Sequence, residues 1–413
     1  MAVEVENGVP YDVAQVRRDF PILSMTVHGK PLVYLDNGAS AQKPSVVLER
    51  MNKAYTSEYA NVHRGLHYLA NAATEAFEEA REIVRDFLGA ASTDEIIFTK
   101  STTEAINLVA SSLGHDIGEG DEVVLSIMEH HSNIVPWHFW RERKGAMLKW
   151  APVDEDGGFD LAAFEALLTE RTKIVAITQM SNVLGTVVPV KEVIRLAHAR
   201  GIKVLVDGSQ AAVHMPVDVR DLDADFYVVT GHKLYGPTGV GVLYGKRELL
   251  ERMPPFLGGG EMIKTVTMDG VSYGEPPHRF EAGTPNIVEA IGLGAALRYM
   301  TGLGRANIAA HEADLRDYAH QRLSQINRVR IFGKTPDKGA IVSFELEGAH
   351  AHDVATVLDR YGVAVRAGTH CAQPLLQRFG VTSTCRASFG LYNTREEIDV
   401  LAQALQKAHD FFS

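Results

Sequence analysis

Two short runs constrain this chain more than anything else in it: Val204-Leu205-Val206-Asp207 and Phe226-Tyr227-Val228-Val229-Thr230. Unbroken β-branched and aromatic residues read as strands buried on both faces, as in parallel sheets covered by helices. Each run stops in polar residues, the first at Asp207-Gly208-Ser209-Gln210 and the second at Thr230-Gly231-His232-Lys233. Open α/β sheets bind ligands at the carboxyl ends of their strands, so one crevice receives a carboxylate and an amine. Singly, these residues read more readily as a helix-capping aspartate and a surface lysine beyond a strand. Together they suit an enzyme of pyridoxal 5'-phosphate (PLP). A lysine forms a Schiff base with the cofactor aldehyde, and an acid keeps the pyridine nitrogen protonated so that the ring serves as an electron sink.

Other strand ends point to the same crevice. A strand over residues 95–99 leads into Ser101-Thr102-Thr103-Glu104 and a helix over 105–113. That tetrapeptide reads as a capping box. It reads equally as a phosphate cradle of helix N-terminal N–H groups and threonine hydroxyls. A strand over 122–126 ends at Met128-Glu129-His130-His131, with no Asp, Cys or third His close by to complete a metal site, so His130 is expected to lie flat against a planar cofactor. A third strand, 173–178, brings Asn182 to the crevice. Tyr34-Leu35-Asp36 reads as a further strand, and helices are expected from Pro44 to about residue 60, over 70–88 and over 190–200. The alternation from about residue 30 to 245 implies a mostly parallel sheet with helices on both faces. In the loop 61–67, His63 and His67 are spaced as helical metal ligands would be, but Gly65 speaks against a helix, and a loop carrying His63 and Arg64 towards the active site is expected instead.

A chain of 413 residues exceeds what one core usually supports. After Leu243 the texture changes to loops around Gly258-Gly259-Gly260 and Arg279 to Asn286, an Ala- and Gly-rich helix over 287–300, then shorter helices and strands. We expect a large domain over 26–289 and a small α+β domain formed by 1–25 plus 290–413. The net charge of −11 argues against a nucleic-acid surface. No apolar run is long enough to span a bilayer, and the acidic opening MAVEVENGVP lacks the zones of a signal peptide, so a cytoplasmic protein is expected. Two cysteines, Cys371 and Cys385, make no disulfide framework, and no metal site is expected. Cys371, beside His370, near Arg366 and among small and polar residues, is expected to be exposed and partly thiolate. Cys385 reads as structural. Its neighbour Arg386 offers the two-pronged grip a substrate carboxylate needs.

The set Thr230-Gly231-His232-Lys233-Leu234-Tyr235-Gly236-Pro237, Met128-Glu129-His130-His131 and Arg366 through Pro374 resembles the SufS-type (group II) cysteine desulfurases. The similarity extends to residues 34–44, 61–67, 279–286 and 385–393, nearly the whole chain. It implies an α/β, fold-type-I PLP-dependent transferase, aspartate-aminotransferase-like, with a mostly parallel seven-stranded sheet in the large domain and a smaller α+β C-terminal domain. By position it makes Lys233 the Schiff-base lysine, Asp207 the pyridine partner and His130 the stacking histidine. Gln210 would contact the cofactor's phenolic oxygen, Asn182 would join it from the neighbouring strand end, and Thr102, Thr103, Thr230 and His232 would hold the phosphate. Thr284 would reach the phosphate of the partner subunit in a homodimer. Cys371 would form the persulfide, Arg386 would bind the substrate carboxylate, and Arg366 and His63 would complete the substrate site. Many relatives carry histidine where this chain has Thr369.

The implied reaction takes sulfur from L-cysteine, leaves L-alanine, and passes the sulfur to a SufE- or SufU-like acceptor that feeds an iron–sulfur scaffold. A selenocysteine lyase would use the same site. An aminotransferase would leave Cys371 without purpose, and a metal carrier or assembly scaffold built on His63, His67, His130 and His131 would leave Lys233 and Asp207 without one.

Overall fold

The computed structural model of the chain describes residues 11–336 and 338–412, so the acidic opening on which the signal-peptide expectation rests lies outside the described residues. The alternation folds into seven strands: β1 (Ile96–Thr99), β2 (Glu122–Ser126), β3 (Met147–Ala151), β4 (Thr172–Thr178), β5 (Lys203–Asp207), β6 (Phe226–Thr230) and β7 (Gly241–Gly245). Their spatial order is β1-β7-β6-β5-β4-β2-β3, and β7 alone runs against its neighbours. Because successive side chains leave a strand on opposite faces, Val204, Val206, Tyr227 and Val229 enter one apolar cluster and Leu205, Phe226 and Val228 the other. Helices cover both clusters. The first receives Phe77, Ala80 and Val84 of α1 (Tyr68–Leu88), the second Ile106 and Val109 of α2 (Thr102–Leu113).

The strand order reverses between β2 and β4, and such a switch point opens a crevice beyond the carboxyl ends of the strands. His130 follows β2, Asn182 follows β4, Asp207 closes β5 and Lys233 follows β6, so all four are delivered to that edge.

The second layer is an antiparallel sheet of β8 (Val329–Phe332), β9 (Ile341–Leu346), β10 (Arg366–Gly368) and β11 (Thr384–Ser388), ordered β8-β9-β11-β10. Its core joins Val342, Phe344 and Ala387 to Leu358 of the helix Ala351–Arg360 and Leu401 of the helix Arg395–Phe412. Here one expectation fails. The strand at Val33–Tyr34 is not part of the large sheet; it pairs in parallel with Val363–Ala364 beside the small one. Val33 and Leu35 are buried in the small domain's apolar cluster, and that burial decides the pairing. The result is that Asp36 arrives at the seam between the layers, bridged to Ser388. Conversely, Val16, Phe20 and Leu23 of the N-terminal arm pack in the large core, so the two cores interlock across residues 16–35. Among the described residues no helix is long and apolar enough to cross a membrane.

Candidate active site

The switch-point crevice, roofed by the small domain, is a cavity of about 680 Å³ whose lining includes Lys233, Asp207, His130, Thr102, Arg386 and Cys371. The strand ends build its floor. Asp207 is buried and fixed by the Ser209 N–H donated to its Oδ1 (3.0 Å). Gly208 beside it has no room for a side chain: a Cβ would lie 2.1 Å from the Tyr227 ring, whose hydroxyl is tied to Gln179. Burial pushes the Lys233 amine down to about 8, against the opposing pull of Asp207, with Arg386 adding to the fall.

Burial, and then Lys233, push His130 down to about 4, so its imidazole is neutral. Its Nδ1 accepts the Ser132 N–H (3.1 Å), which places the ring proton on Nε2. Beneath it lies Glu129, which sequence reasoning passed over. Its Oε1 accepts the Ser126 hydroxyl and the Thr178 N–H (3.0 Å), and its Oε2 accepts from Asn133 (2.7 Å). One buried carboxyl thus ties the ends of β2 and β4 to the turn that carries His130, and its burial raises it to about 8.

At the N-terminus of α2, Ser101 caps the helix by accepting the Glu104 N–H (3.2 Å). The Glu104 carboxylate closes on the Lys100 N–H rather than on Ser101, so the expected box is shifted by one residue. Thr102 shares a hydrogen bond with Ser209 (2.8 Å), Thr103 is exposed and lines the cavity, and the buried Thr230 hydroxyl has no protein partner. At Gly241 a Cβ would sit 2.5 Å from the Ser101 carbonyl carbon, so β7 closes tightly under this helix end. His232 lines the same end, held neutral at about 4 by burial and by Lys233. An orphan hydroxyl among helix N–H groups suits a bound oxyanion. Gln210, tied through its Nε2 to the Gly38 carbonyl (2.8 Å), completes the floor.

The roof is built differently. Arg386, on β11, is buried; its Nη1 donates to the Asn182 carbonyl (2.8 Å), its Nη2 reaches Asp36 (3.4 Å), and its Nε has no partner. Arg366 lies directly opposite on β10 and is held by Asp36 (2.8 Å). Cys371 is exposed. It and His370 carry positive φ angles, +54° and +51°, in the left-handed region that costs a non-glycine residue about 1–2 kcal/mol. Polar clamps hold the turn. Asn182 donates to the His370 carbonyl (2.8 Å), the His131 N–H donates to the Cys371 carbonyl (2.7 Å), and the His131 ring accepts the Gln373 N–H (3.2 Å).

Several expectations need correcting. His370 does not favour a thiolate: it is buried against Thr384 and pushed down to about 3, hence neutral. The cations that feel the Cys371 sulfur are Lys233, Arg366 and Arg386. Asn182 lines the cavity as expected, and its Nδ2 also donates to the cysteine loop. His63 does not line it; its ring pairs with Glu78 (2.8 Å), and Arg64 pairs with Glu261 (2.8 Å). His67 caps α1. Thr284, expected to serve the partner subunit and not its own cavity, lies in a depression with Lys100 and Glu104, on a loop fixed by the buried Arg81–Glu281 pair (2.6 Å). Asp36 closes a strand-like run in polar residues much as Asp207 does, and that signal was there to be read. Glu129 and His131 gave none beyond lying next to His130.

The aminotransferase class-V family model matches residues 33–401. A cysteine desulfurase of Dickeya dadantii (strain 3937) is 52% identical over 401 residues, covering 97% of either chain. A probable cysteine desulfurase of Synechocystis sp. is 50% identical over 409 residues, 98% of this chain and 97% of the relative. Among solved structures, the cysteine desulfurase CsdA from Escherichia coli superposes with a TM-score of 0.91 at 40% identity, covering 98% of this chain and 100% of that one. The apo cysteine desulfurase from Thermococcus onnurineus NA1 does so at 0.92 and 39%, covering both chains fully.

Proposed function

Because this chain belongs to the aminotransferase class-V family and stands among its cysteine desulfurases, we infer that it is a fold-type-I PLP enzyme taking sulfur from L-cysteine, and we propose that Cys371 receives that sulfur. The observation that carries the reading is the meeting, in one cavity, of a buried lysine with a depressed pKa and an exposed cysteine from the opposite layer.

The residues present fit the cofactor. Lys233 would hold its aldehyde carbon, Asp207 its pyridine nitrogen and His130 one face of its ring. The orphan Thr230 hydroxyl, with Thr102, Thr103, His232 and the N-terminus of α2, would take its phosphate. When bound, PLP supplies an electron sink for the charge released at the substrate Cα.

The chain's own groups do the rest. Arg386 receives the substrate carboxylate on its unpartnered Nε and its fork. The Lys233 amine, neutral above about 8, is the base for the Cα proton. His130 is neutral and holds its ring proton on Nε2. The Cys371 thiolate attacks the substrate Sγ. A sulfur–sulfur bond forms, the Cβ–Sγ bond breaks with its electron pair going to Cβ, and protonation at Cβ, with return of a proton to Cα from the Lys233 ammonium, gives L-alanine. The exposure of Cys371 lets the resulting persulfide be reached from solvent, which supports a SufE- or SufU-like acceptor and supply of an iron–sulfur scaffold, as in the SufS-type group. Leu66 and Tyr68, 99% and 81% exposed beside the His63 loop, support burial of that loop in a homodimer, where His63 and Thr284 would complete the partner's site.

The test follows the visible spectrum, alanine and sulfide together on the purified protein with L-cysteine, with and without reductant. A yellow protein yielding both, and losing both in Cys371→Ala, is the expected outcome. A yellow wild type that yields no alanine from L-cysteine with a sulfur carrier present would overturn the substrate assignment.

A further inference from the structure

Arg366 and Arg386 are the two guanidinium groups of the cavity, and the register of β10 with β11 sets them directly opposite each other. Like charges facing across a strand pair repel. A site offering both forks would also hold two anionic groups as readily as one. Asp36 stands between them and the strand behind. Its Oδ2 accepts from Arg366 Nη2 (2.8 Å), and its Oδ1 is shared between Arg366 Nε (3.4 Å) and Arg386 Nη2 (3.4 Å). Asp36 does not itself line the cavity, so it acts on a substrate only through the two arginines. It is held from behind by the bridge to Ser388.

The two arginines are not equivalent under this arrangement. The Arg366 fork is occupied by Asp36, and that bond is the main reason its pKa is raised. Arg386 keeps a buried Nε without a partner. Of the other titratable groups lining the cavity, Asp207 offsets Lys233, burial keeps His130, His232 and His370 neutral, and His352 and Cys371 stand on the roof. Between the two arginines Asp36 offsets one positive charge of two, which leaves Arg386 as the guanidinium open to an incoming carboxylate.

We propose that Asp36 is a specificity-determining residue: by occupying Arg366 it reserves the site for α-amino acids carrying a single carboxylate and disfavours those with a second negative charge on the side chain. The proposal deepens the reading of Arg386 as the carboxylate seat and rests on it.

L-asparagine and L-aspartate are nearly isosteric and differ by one charge at the side-chain end, so their ratio of dissociation constants isolates the effect. Both are titrated into the PLP-loaded enzyme by its visible spectrum. In wild type, asparagine binds more tightly. In Asp36→Asn the freed Arg366 should favour aspartate and shift the ratio towards it about tenfold, the worth of one partly screened charge pair. Asp36→Glu should keep the wild-type ratio, and Asp36→Asn with Arg366→Gln should restore it. An unchanged ratio in Asp36→Asn, with both ligands still bound, overturns the proposal. Should Asp36→Asn fail to load cofactor, Arg366→Gln carries the test: it leaves Asp36 unoffset and should disfavour aspartate further, and no change there overturns the proposal equally. Arg386→Gln separates the two layers of argument. It should weaken both ligands together, and unaltered binding of both would remove the carboxylate seat itself, a different result from an unaltered ratio.

Discussion

The floor and the roof line one cavity, yet they are held by opposite means. On the floor, Lys233, Asp207 and His130 stand at the ends of strands whose every residue is buried or nearly so. Their placement is set by close packing, as the missing space at Gly208 shows. On the roof, Cys371 stands exposed on a left-handed turn held by a few hydrogen bonds from His131 and Asn182. A packed floor keeps a cofactor and its base in register. A turn held by separate polar contacts rests on bonds worth about 1 kcal/mol each. On the proposed roles, the protein divides its chemistry accordingly, proton handling below and sulfur handling above.

The largest effect should come from the floor. Lys233→Ala removes the base and the cofactor's anchor together, and alanine formation should fall by at least ~10³-fold, within the usual worth of such a group, with loss of the yellow lysine-bound absorbance. Unchanged absorbance would show that another amine holds the cofactor. Cys371→Ser should also bring sulfur transfer to background, but with the lysine-bound absorbance retained, since the hydrogen bonds that fix Asp207 and His130 do not run through the thiol. A variant that lost both colour and transfer would break the separation of floor from roof.

A pH experiment sharpens the same contrast. Burial favours the neutral form of Lys233, which has a pKa of about 8 instead of 10.5. Capture of PLP by the cofactor-free protein needs the neutral amine. Its rate should therefore rise about tenfold per pH unit below that midpoint and level off above it. A rise continuing to about 10.5 would mean that the amine is not desolvated. The roof should answer to its clamps instead. His131→Ala removes the acceptor of the Gln373 N–H, and alkylation of Cys371 by iodoacetamide should quicken about fivefold, the worth of ~1 kcal/mol, with the cofactor spectrum unmoved. Unaltered alkylation would show that the loop does not depend on that bond.

The same contrast explains what could be read from the sequence. The floor was legible because buried parallel strands announce themselves as apolar runs and their polar ends share one edge: Lys233, Asp207, His130 and Asn182 were expected there and line one cavity. The roof depended on contacts between residues far apart in the chain. Nothing near Cys371 says that His131, some 240 positions earlier, clamps it, nor that His370 turns inward to Thr384. Asp36 was visible as a strand end but was placed on the wrong sheet, because the two-residue strand at Val33–Tyr34 is too short to show which core it buries in. The Cys371 loop was singled out from its small and polar neighbours, which argued for an exposed and partly ionised thiol; only its persulfide role came from resemblance to a family.

The two cysteines offer the finest test, since they stand fourteen positions apart and differ only in surroundings. Cys385 is buried on β11, its thiol donates to the Ala351 carbonyl (3.2 Å), and burial raises it to about 12. At neutral pH it has almost no thiolate, and no path for a reagent. Cys385→Ala removes one weak hydrogen bond and a sulfur's volume from the small domain's core, which should cost about 1–2 kcal/mol in thermal unfolding and leave turnover with L-cysteine unchanged. Because Arg386 is its immediate neighbour in the strand, the result discriminates. A fall in cysteine affinity in Cys385→Ala would mean that the strand shifts when its core face is thinned, and that the roof is as dependent on packing as the floor. Unchanged affinity with lowered stability would show that β11 holds Arg386 through its hydrogen-bonded pairing with β9 and β10, whatever the face behind it loses.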